Sequence, residues 1–492
     1  MADTNIRPAK KFAFDVGWVF ISSVIVLMLH FFQKPVMARY LGPDGLGLFS
    51  MAFMIIGIVE IIAGFGIGEA LVKYVAEYRE YERVSSLTSS AFITISVFGI
   101  ITSVALFFSS NLFADIFDMP YLSILLKIYA IAFPFSLIYG IILGFLRGLR
   151  KMKYFAFLRI LDASLALAFI LAFLAAGFWV EGAMLGILFE IIVIFVVGML
   201  IMKKFMRFSL SDYQGNTKML ASFGSRIIGA NIVGQIYYNI DTLMIGYFLT
   251  STEVGYYAVA ISLSRFFWLV PRAIATVAYP AISEYWANGN RQAVNKLVDK
   301  STKYSACILI FAGMSIVFFA KDIITFLFTP EFLPAVLPLA ILITGTVTSG
   351  ILRSVGEIFA SVGKVNLVLK ISIIGAVGDI ILNMILIPIY GIIGAATATA
   401  ASQVLNVGIT IYFLRKALVI KLDTPWFIKM VMLISLLAVL FYGLSILNHY
   451  FSATIALFLY TIAIIKYFLT KEDKAYFVSI VKHALYGDFI KV

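Results

Sequence analysis

The sequence predicts an all-α polytopic membrane protein with fourteen transmembrane helices, and three observations carry that prediction. First, 62% of the 492 residues are hydrophobic and 13% charged, with a mean hydropathy of +1.01; a soluble domain carries about 25% charged residues. Second, the apolar residues fall into runs long enough to cross a bilayer, which takes ~20 residues of helix. Third, 28 of the 38 Lys and Arg lie in loops of one parity, against three (Lys34, Arg39 and Lys321) in the other. That asymmetry sets both termini on the cytoplasmic side. Ordinary soluble enzymes, coiled coils, disordered chains and disulfide scaffolds are excluded. The net charge of +12 arises in short loops and does not point to nucleic acid. Cys307 is the single cysteine, so neither a disulfide nor a CxxC metal site can form.

A basic tail (Arg7, Lys10, Lys11) precedes span 1, 14–33, which is span-length and has no small-residue cleavage site, so it reads as a retained helix. Spans 46–70, 86–109, 121–146, 155–178 and 180–202 follow, the last two divided by the Gly177–Gly182 region alone. After a cytoplasmic linker, 203–218, come spans 219–247, 255–279, 303–320, 335–358, 366–388 and 391–414. Spans 13 and 14 are 426–446 and 450–469. The tail, 470–492, places Phe477, Ile480, Val481, Ala484, Leu485 and Phe489 at helical spacing, as in an amphipathic helix lying on the inner interface. The loops leave no room for a catalytic domain outside the membrane.

Two halves of the chain align. YLGPDGLGLFSMA (40–52) matches FLTSTEVGYYAVA (248–260), pairing Gly47 with Gly255. Further on, 148–151 matches 361–364, Gly182-Ala183 matches Gly394-Ala395, and Lys203-Lys204 matches Arg415-Lys416. Six spans per copy is an even number, so both copies share one orientation. The predicted architecture is two six-helix lobes, 1–202 and 219–416, related by a pseudo-twofold along the membrane normal, with two additional helices in 417–469.

The runs ARYLGPDGLGLFSMA, NIDTLMIGYFL with VGYYAVA, and LNMILIPIYGIIGAA resemble the polysaccharide flippase family. This is a branch of the multidrug/oligosaccharidyl-lipid/polysaccharide (MOP) exporter superfamily. The resemblance spans the whole chain. It implies a V-shaped pair of lobes that rock to give alternating access, and a groove for a polyprenyl tail at helices 13 and 14.

Ionisable groups at mid-bilayer cost ~2.5–3.5 kcal/mol on insertion scales, so they should face protein or a water-filled cavity. Arg265 lies near the middle of span 8, and Arg272 follows seven residues later on the same face with Trp268 between. A guanidinium suits a diphosphate because it stays charged and donates bidentately; tying helices together is the alternative. Related lipid II flippases carry a functional arginine at the depth Arg265 resembles. Arg39 belongs to the ARYLGP motif, where it suits an exit gate or a headgroup contact. Arg353 and Glu357 are spaced to pair, as are Arg159 and Asp162. Glu60, Glu69 and Glu190 are lone carboxylates. Asp241, Asp379, Asn383 and Thr397 resemble the sodium-binding set of lipid II flippases, with the order of the Asp/Asn pair reversed. Structural hydrogen bonding is the other reading of these four. Uncharged polar stripes run along Asn231, Gln235 and Asn239, and along Thr399, Gln403, Asn406 and Thr410.

The function expected is a flippase that moves a polyprenyl- or dolichyl-diphosphate-linked oligosaccharide from the inner to the outer leaflet of the cell membrane. No covalent step is needed, so no catalytic residue or enzyme activity is expected, and Na+ or H+ serves as coupling ion if one is used. The partners are the lipid-linked glycan, the membrane and proteins of glycan assembly. A drug/cation antiporter is the alternative within the superfamily, and an integral-membrane glycan polymerase or ligase the alternative outside it.

Overall fold

The computed structural model describes residues 6–78, 80–353, 355 and 358–475, and every regular element among them is helical. Eleven of the described helical stretches are long and apolar enough to cross a membrane. Two of these are double. Helix α1 (Ile6–Gly64) bends at Gly42, whose φ of 65° and ψ of −176° suit a residue without a Cβ. Pro43, which has no amide hydrogen to donate back into the helix, follows at once. The 34–45 segment therefore turns at one residue and is not a loop. After a break at Phe65–Gly66, both with positive φ, the chain resumes as α2 (Ile67–Glu77).

Next come α3 (Tyr81–Ile116), α4 (Pro120–Gly148), α5 (Met152–Ala175), α6 (Val180–Met202) and α7 (Tyr213–Phe248). Helix α7 has 36 residues but is not among the eleven, because Asn, Gln, Arg and Asp interrupt its apolar run. Then follow α8 (Ser251–Arg265), α9 (Leu269–Ala287) after one 3-10 turn, α10 (Arg291–Phe318), α11 (Ala320–Leu327), α12 (Val336–Arg353) and the single turn α13 (Ile358–Ser361). The long α14 (Val365–Leu418) bends at Gly391, φ 59° and ψ −139°. Helices α15 (Thr424–Ser445) and α16 (His449–Ala463) follow, the latter running into a π-helical turn at Ile464–Phe468. The amphipathic tail expected over Phe477, Ile480, Val481, Ala484, Leu485 and Phe489 lies outside the described residues, as does Glu357.

The chain forms two compact units. The first comprises Met1–Ile261, Ile324–Pro338 and Ala376–Ala398. Within it α3 packs on α4, α5 on α6, and α1 on α5, over a core that includes Phe133, Phe145, Leu125 and Ile170. Gly47 and Gly255 meet backbone to backbone: a Cβ on Gly47 would strike the Ser251 carbonyl, and one on Gly255 the Pro43 carbonyl.

The second unit comprises Ser262–Ile323, Leu339–Gly375 and Thr399–Val492. Here α15 and α16 are fastened to α10. Phe318 stacks on Phe441 at 4.0 Å between centroids, and the Tyr460 hydroxyl donates to the Cys307 carbonyl at 2.9 Å. At the polar end Asp423 caps α15 through the Trp426 amide and accepts from Lys303 at 2.8 Å, a hydrogen bond that holds its carboxyl below the usual range. Asp473 is pulled down to about 2: burial pushes it up, but hydrogen bonds from Thr470 and Tyr304 and the Lys300 charge outweigh that.

The turns of the aligned halves share backbone detail. After α4, Arg150 takes φ 56° and Lys151 N donates to Leu146 O; after α13, Gly363 takes φ 78° and Lys364 N donates to Phe359 O. The same offset relates all three pairs.

Candidate functional site

The first unit contains a cavity of about 710 Å³. Glycines open much of its wall: Gly57 and Gly64 on α1, Gly66 at the break, Gly68 on α2, and Gly140 and Gly144 on α4. Without side chains at these places the helices leave space in an otherwise close-packed interior. Gly66 also allows a close approach, since a Cβ there would meet the Gly224 backbone of α7 at 2.7 Å.

Into this space come four charged side chains: Glu60, Glu69, Arg147 and Arg159. Glu60 is fixed from α4, accepting from the Tyr129 hydroxyl at 2.7 Å and from the Ser136 hydroxyl. Glu69 stands in the first turn of α2, where the helix dipole favours a carboxylate; Arg147 stands in the last turn of α4, where it favours a cation. Among the described residues none of the four forms an ion pair within 4.0 Å; the pairing of Arg159 with Asp162 expected from their spacing is absent. Asn231 and Gln235 of α7 complete a polar wall. Such a surface offers two guanidinium forks for an anion, with carboxylate and amide groups for hydroxyls.

The basic residues singled out in the sequence lie elsewhere. In the second unit Arg265 and Arg353 converge on one indole, their Cζ atoms 6.0 and 4.5 Å from the centroid of the Trp268 ring. Arg272 is exposed on α9. Arg39, in the first unit, donates to the Leu327 carbonyl at 3.2 Å and to the Phe326 carbonyl. It thereby satisfies the otherwise open C-terminal carbonyls of α11.

Three of the four oxygen-bearing residues are buried. Asp241 is 3% exposed and accepts from the Tyr257 hydroxyl at 2.5 Å and the Thr242 amide at 2.8 Å. Asp379 is buried, and Asn383 Nδ2 donates to its backbone carbonyl at 3.0 Å. The Asn383 Oδ1 atom is buried without a hydrogen-bond partner, which fits a ligand for a hard cation. Thr397 is exposed and donates to the Ile393 carbonyl. Among the described residues no three His, Cys, Asp or Glu converge as a metal site.

Sequence reasoning did not place Arg147 in a site, because it counted Arg147 as a loop cation. The glycine-rich run Gly64-Phe-Gly-Ile-Gly68 just before Glu69 was the available signal. Of the uncharged stripes, Asn231 and Gln235 do line the cavity. Gln403 instead accepts from Ser349 at 3.4 Å, and Asn406 packs on Gly375 across the bend of α14.

A sequence model described as MatE matches residues 227–385. The probable low-salt glycan biosynthesis flippase Agl15 of Haloferax volcanii is 26% identical over 407 residues, covering 82% of this chain and 83% of that protein. The lipopolysaccharide biosynthesis protein WzxC of Escherichia coli is 25% identical over 56% of each chain. Among solved structures, the lipid II flippase MurJ in an inward closed conformation superposes with a TM-score of 0.70 at 17% identity, over 92% of this chain and 98% of that one. An inward-facing MATE family multidrug transporter follows at 0.66 and 14%, over 80% and 94%. These two show the MOP fold. The polysaccharide biosynthesis protein family matches residues 12–286, more than half of the sequence, and this multi-pass membrane chain belongs to it.

Proposed function

We propose that this protein is a flippase that moves a polyprenyl- or dolichyl-diphosphate-linked oligosaccharide from the cytoplasmic to the outer leaflet by alternating access. The observation that carries the reading is the cavity of the first unit: its volume is within the ~300–1,000 Å³ of small-molecule sites, and its guanidiniums and carboxylates have no ion-pair partners within 4.0 Å among the described residues. Relatives named as glycan flippases, not enzymes, support it. Arg147 and Arg159 hold the diphosphate or acidic sugars, and Glu60, Asn231 and Gln235 accept from or donate to hydroxyls. Arg265, Arg353 and Arg272 form a second cationic station, and Arg39 positions α11 near the headgroup path. The exposed apolar residues Val431, Met432, Leu436 and Val439 of α15 offer a surface for the polyprenyl tail.

The architecture proposed is fourteen spans in the cell membrane with both termini cytoplasmic, as two six-helix lobes, 1–202 and 219–416, about a pseudo-twofold. The reciprocal Gly47–Ser251 and Gly255–Pro43 approaches support it, since a twofold brings equivalent residues together in this way. The coupling ion is Na+ or H+. The ligands for Na+ would be Asp241, Asp379, Asn383 and Thr397.

Replacement tests the reading in cells that depend on this protein for a surface glycan. Arg159→Ala and Arg265→Ala should each abolish surface glycan while the protein still accumulates in the membrane. Normal surface glycan in both variants would contradict the headgroup assignment.

A further inference from the structure

The cavity of the first unit has two chemically different ends. On α4, Ser136, Gly140, Gly144 and Arg147 recur at intervals of four, four and three residues, so they form one stripe, and all four line the cavity. Eleven residues separate Ser136 from Arg147, roughly 16 Å of helix at 1.5 Å per residue. That is longer than a diphosphate alone, so the site has room for a diphosphate and a sugar in line.

At the Arg147 end the helices α2 and α4 cross at two glycines: a Cβ on Gly144 would lie 2.9 Å from the Gly68 carbonyl. The crossing brings the turn that carries Glu69 against the turn that carries Arg147, so a carboxylate and a guanidinium share this end, and Arg159 of α5 adds a second guanidinium to the wall. The Ser136 end is built differently. Glu60 is the one charged residue that α1 and α7 bring to the wall. Its Oε1 atom accepts from the Tyr129 and Ser136 hydroxyls, which are themselves 3.4 Å apart, so two donors on α4 fix the carboxyl group from one side. Its Oε2 atom has no hydrogen-bond partner among the described residues. Gln235 of α7 reaches the same level, since a Cβ on Gly57, one turn before Glu60, would lie 3.0 Å from its Nε2. Asn231 stands one turn before Gln235 on the same face of α7.

A fixed carboxylate with one oxygen to spare, beside two carboxamides, offers acceptors and donors for the hydroxyls of a sugar. The same carboxylate repels a second negative charge, and it does so strongly where little water is present to screen it. We propose that Glu60 selects the sugar next to the diphosphate, admitting an uncharged sugar and rejecting an acidic one. With the diphosphate on Arg147 and Arg159, the first sugar lies against Glu60, Gln235 and Asn231, and its hydroxyls donate to Glu60 Oε2. The inference rests on the flippase reading for the diphosphate-linked headgroup and narrows the class of glycan that the cavity takes.

The test compares two lipids that differ at one carbon: polyprenyl-diphosphate-linked glucose, with a hydroxymethyl group at C6, and polyprenyl-diphosphate-linked glucuronic acid, with a carboxylate there. Competition between them for the purified full chain in detergent is read by native mass spectrometry at neutral pH. The wild type should prefer the glucose lipid by about tenfold or more, the size expected when like charges are brought together. Glu60→Gln keeps an acceptor for the Tyr129 and Ser136 hydroxyls and removes the charge, so it should fold and its preference should fall to near one, through tighter binding of the glucuronic acid lipid. Equal binding of the two lipids by the wild type, or a preference unchanged in Glu60→Gln, would overturn the inference; a purely structural role for Glu60 would weaken both lipids alike and leave the preference as it was.

Translocation of the same two lipids in liposomes separates this inference from the flippase reading. Selective binding with no translocation of either lipid would uphold selection at Glu60 and refute the flippase. Equal binding with equal translocation of both would uphold the flippase and overturn the selection.

Discussion

Gly47 offers the sharpest test of the fold. A methyl group placed there would occupy the space of the Ser251 carbonyl, whereas real Cβ contacts essentially never fall below 3.0 Å. Backbone cannot rotate aside as a side chain does, so α1 and α8 would have to separate by roughly an ångström, and Gly47→Ala should cost about 3 kcal/mol, the upper end of overpacking penalties. That corresponds to a roughly hundredfold change in the folding equilibrium. Gly255→Ala should cost a similar amount against the Pro43 carbonyl. The double variant should cost little more than either single one, because one separation of the crossing accommodates both methyls. Denaturant titration of the purified protein in detergent, followed by tryptophan fluorescence, gives the three values. Unchanged stability in Gly47→Ala, or full additivity in the double variant, would refute the close crossing.

Other substitutions probe the sites. Glu60→Ala leaves the Tyr129 and Ser136 hydroxyls without their acceptor and should lower stability by about 1–3 kcal/mol, whereas Glu60→Gln keeps an acceptor and should stay near wild type in the same titration. Trp268→Leu removes the ring under Arg265 and Arg353, at about 0.5–1 kcal/mol for each cation–π contact; Trp268→Phe should retain most of the transport rate that Trp268→Leu loses. Asp473 has a folded pKa of about 2, below the unfolded ~3.9. Its contribution is therefore complete above pH ~4 and is lost as pH falls toward 2. Limited proteolysis should find the segment after Phe468 increasingly cleavable over that window, and Asp473→Asn should be equally cleavable at pH 3 and pH 6.

The helical membrane class was legible because composition and hydropathy report it directly. One turn was legible by its match: 148–151 was aligned with 361–364 on sequence, and both segments adopt a positive-φ turn closed by equivalent hydrogen bonds. Helix boundaries were less so. The 34–45 segment carries two prolines and two glycines, which read as a loop, yet one glycine at φ 65° absorbs the whole turn. Polar residues were harder still. Spacing suggested that Arg159 pairs with Asp162, but no ion pair joins them within 4.0 Å and Arg159 lines the cavity of the first unit, a placement that spacing within one helix cannot reveal. Arg265 and Arg353 are 88 residues apart and share Trp268 only through the tertiary fold.

Translocation itself is the most direct test of the central claim. Purified protein would be placed in liposomes whose inner leaflet carries a labelled short polyprenyl-diphosphate oligosaccharide, and exposure of the sugar to an external lectin would be followed with and without Na+ and H+ gradients. Protein-dependent exposure, reduced by Arg159→Ala, is the result predicted. No exposure, together with efflux of small organic cations from the same liposomes, would contradict the flippase and identify a cation antiporter.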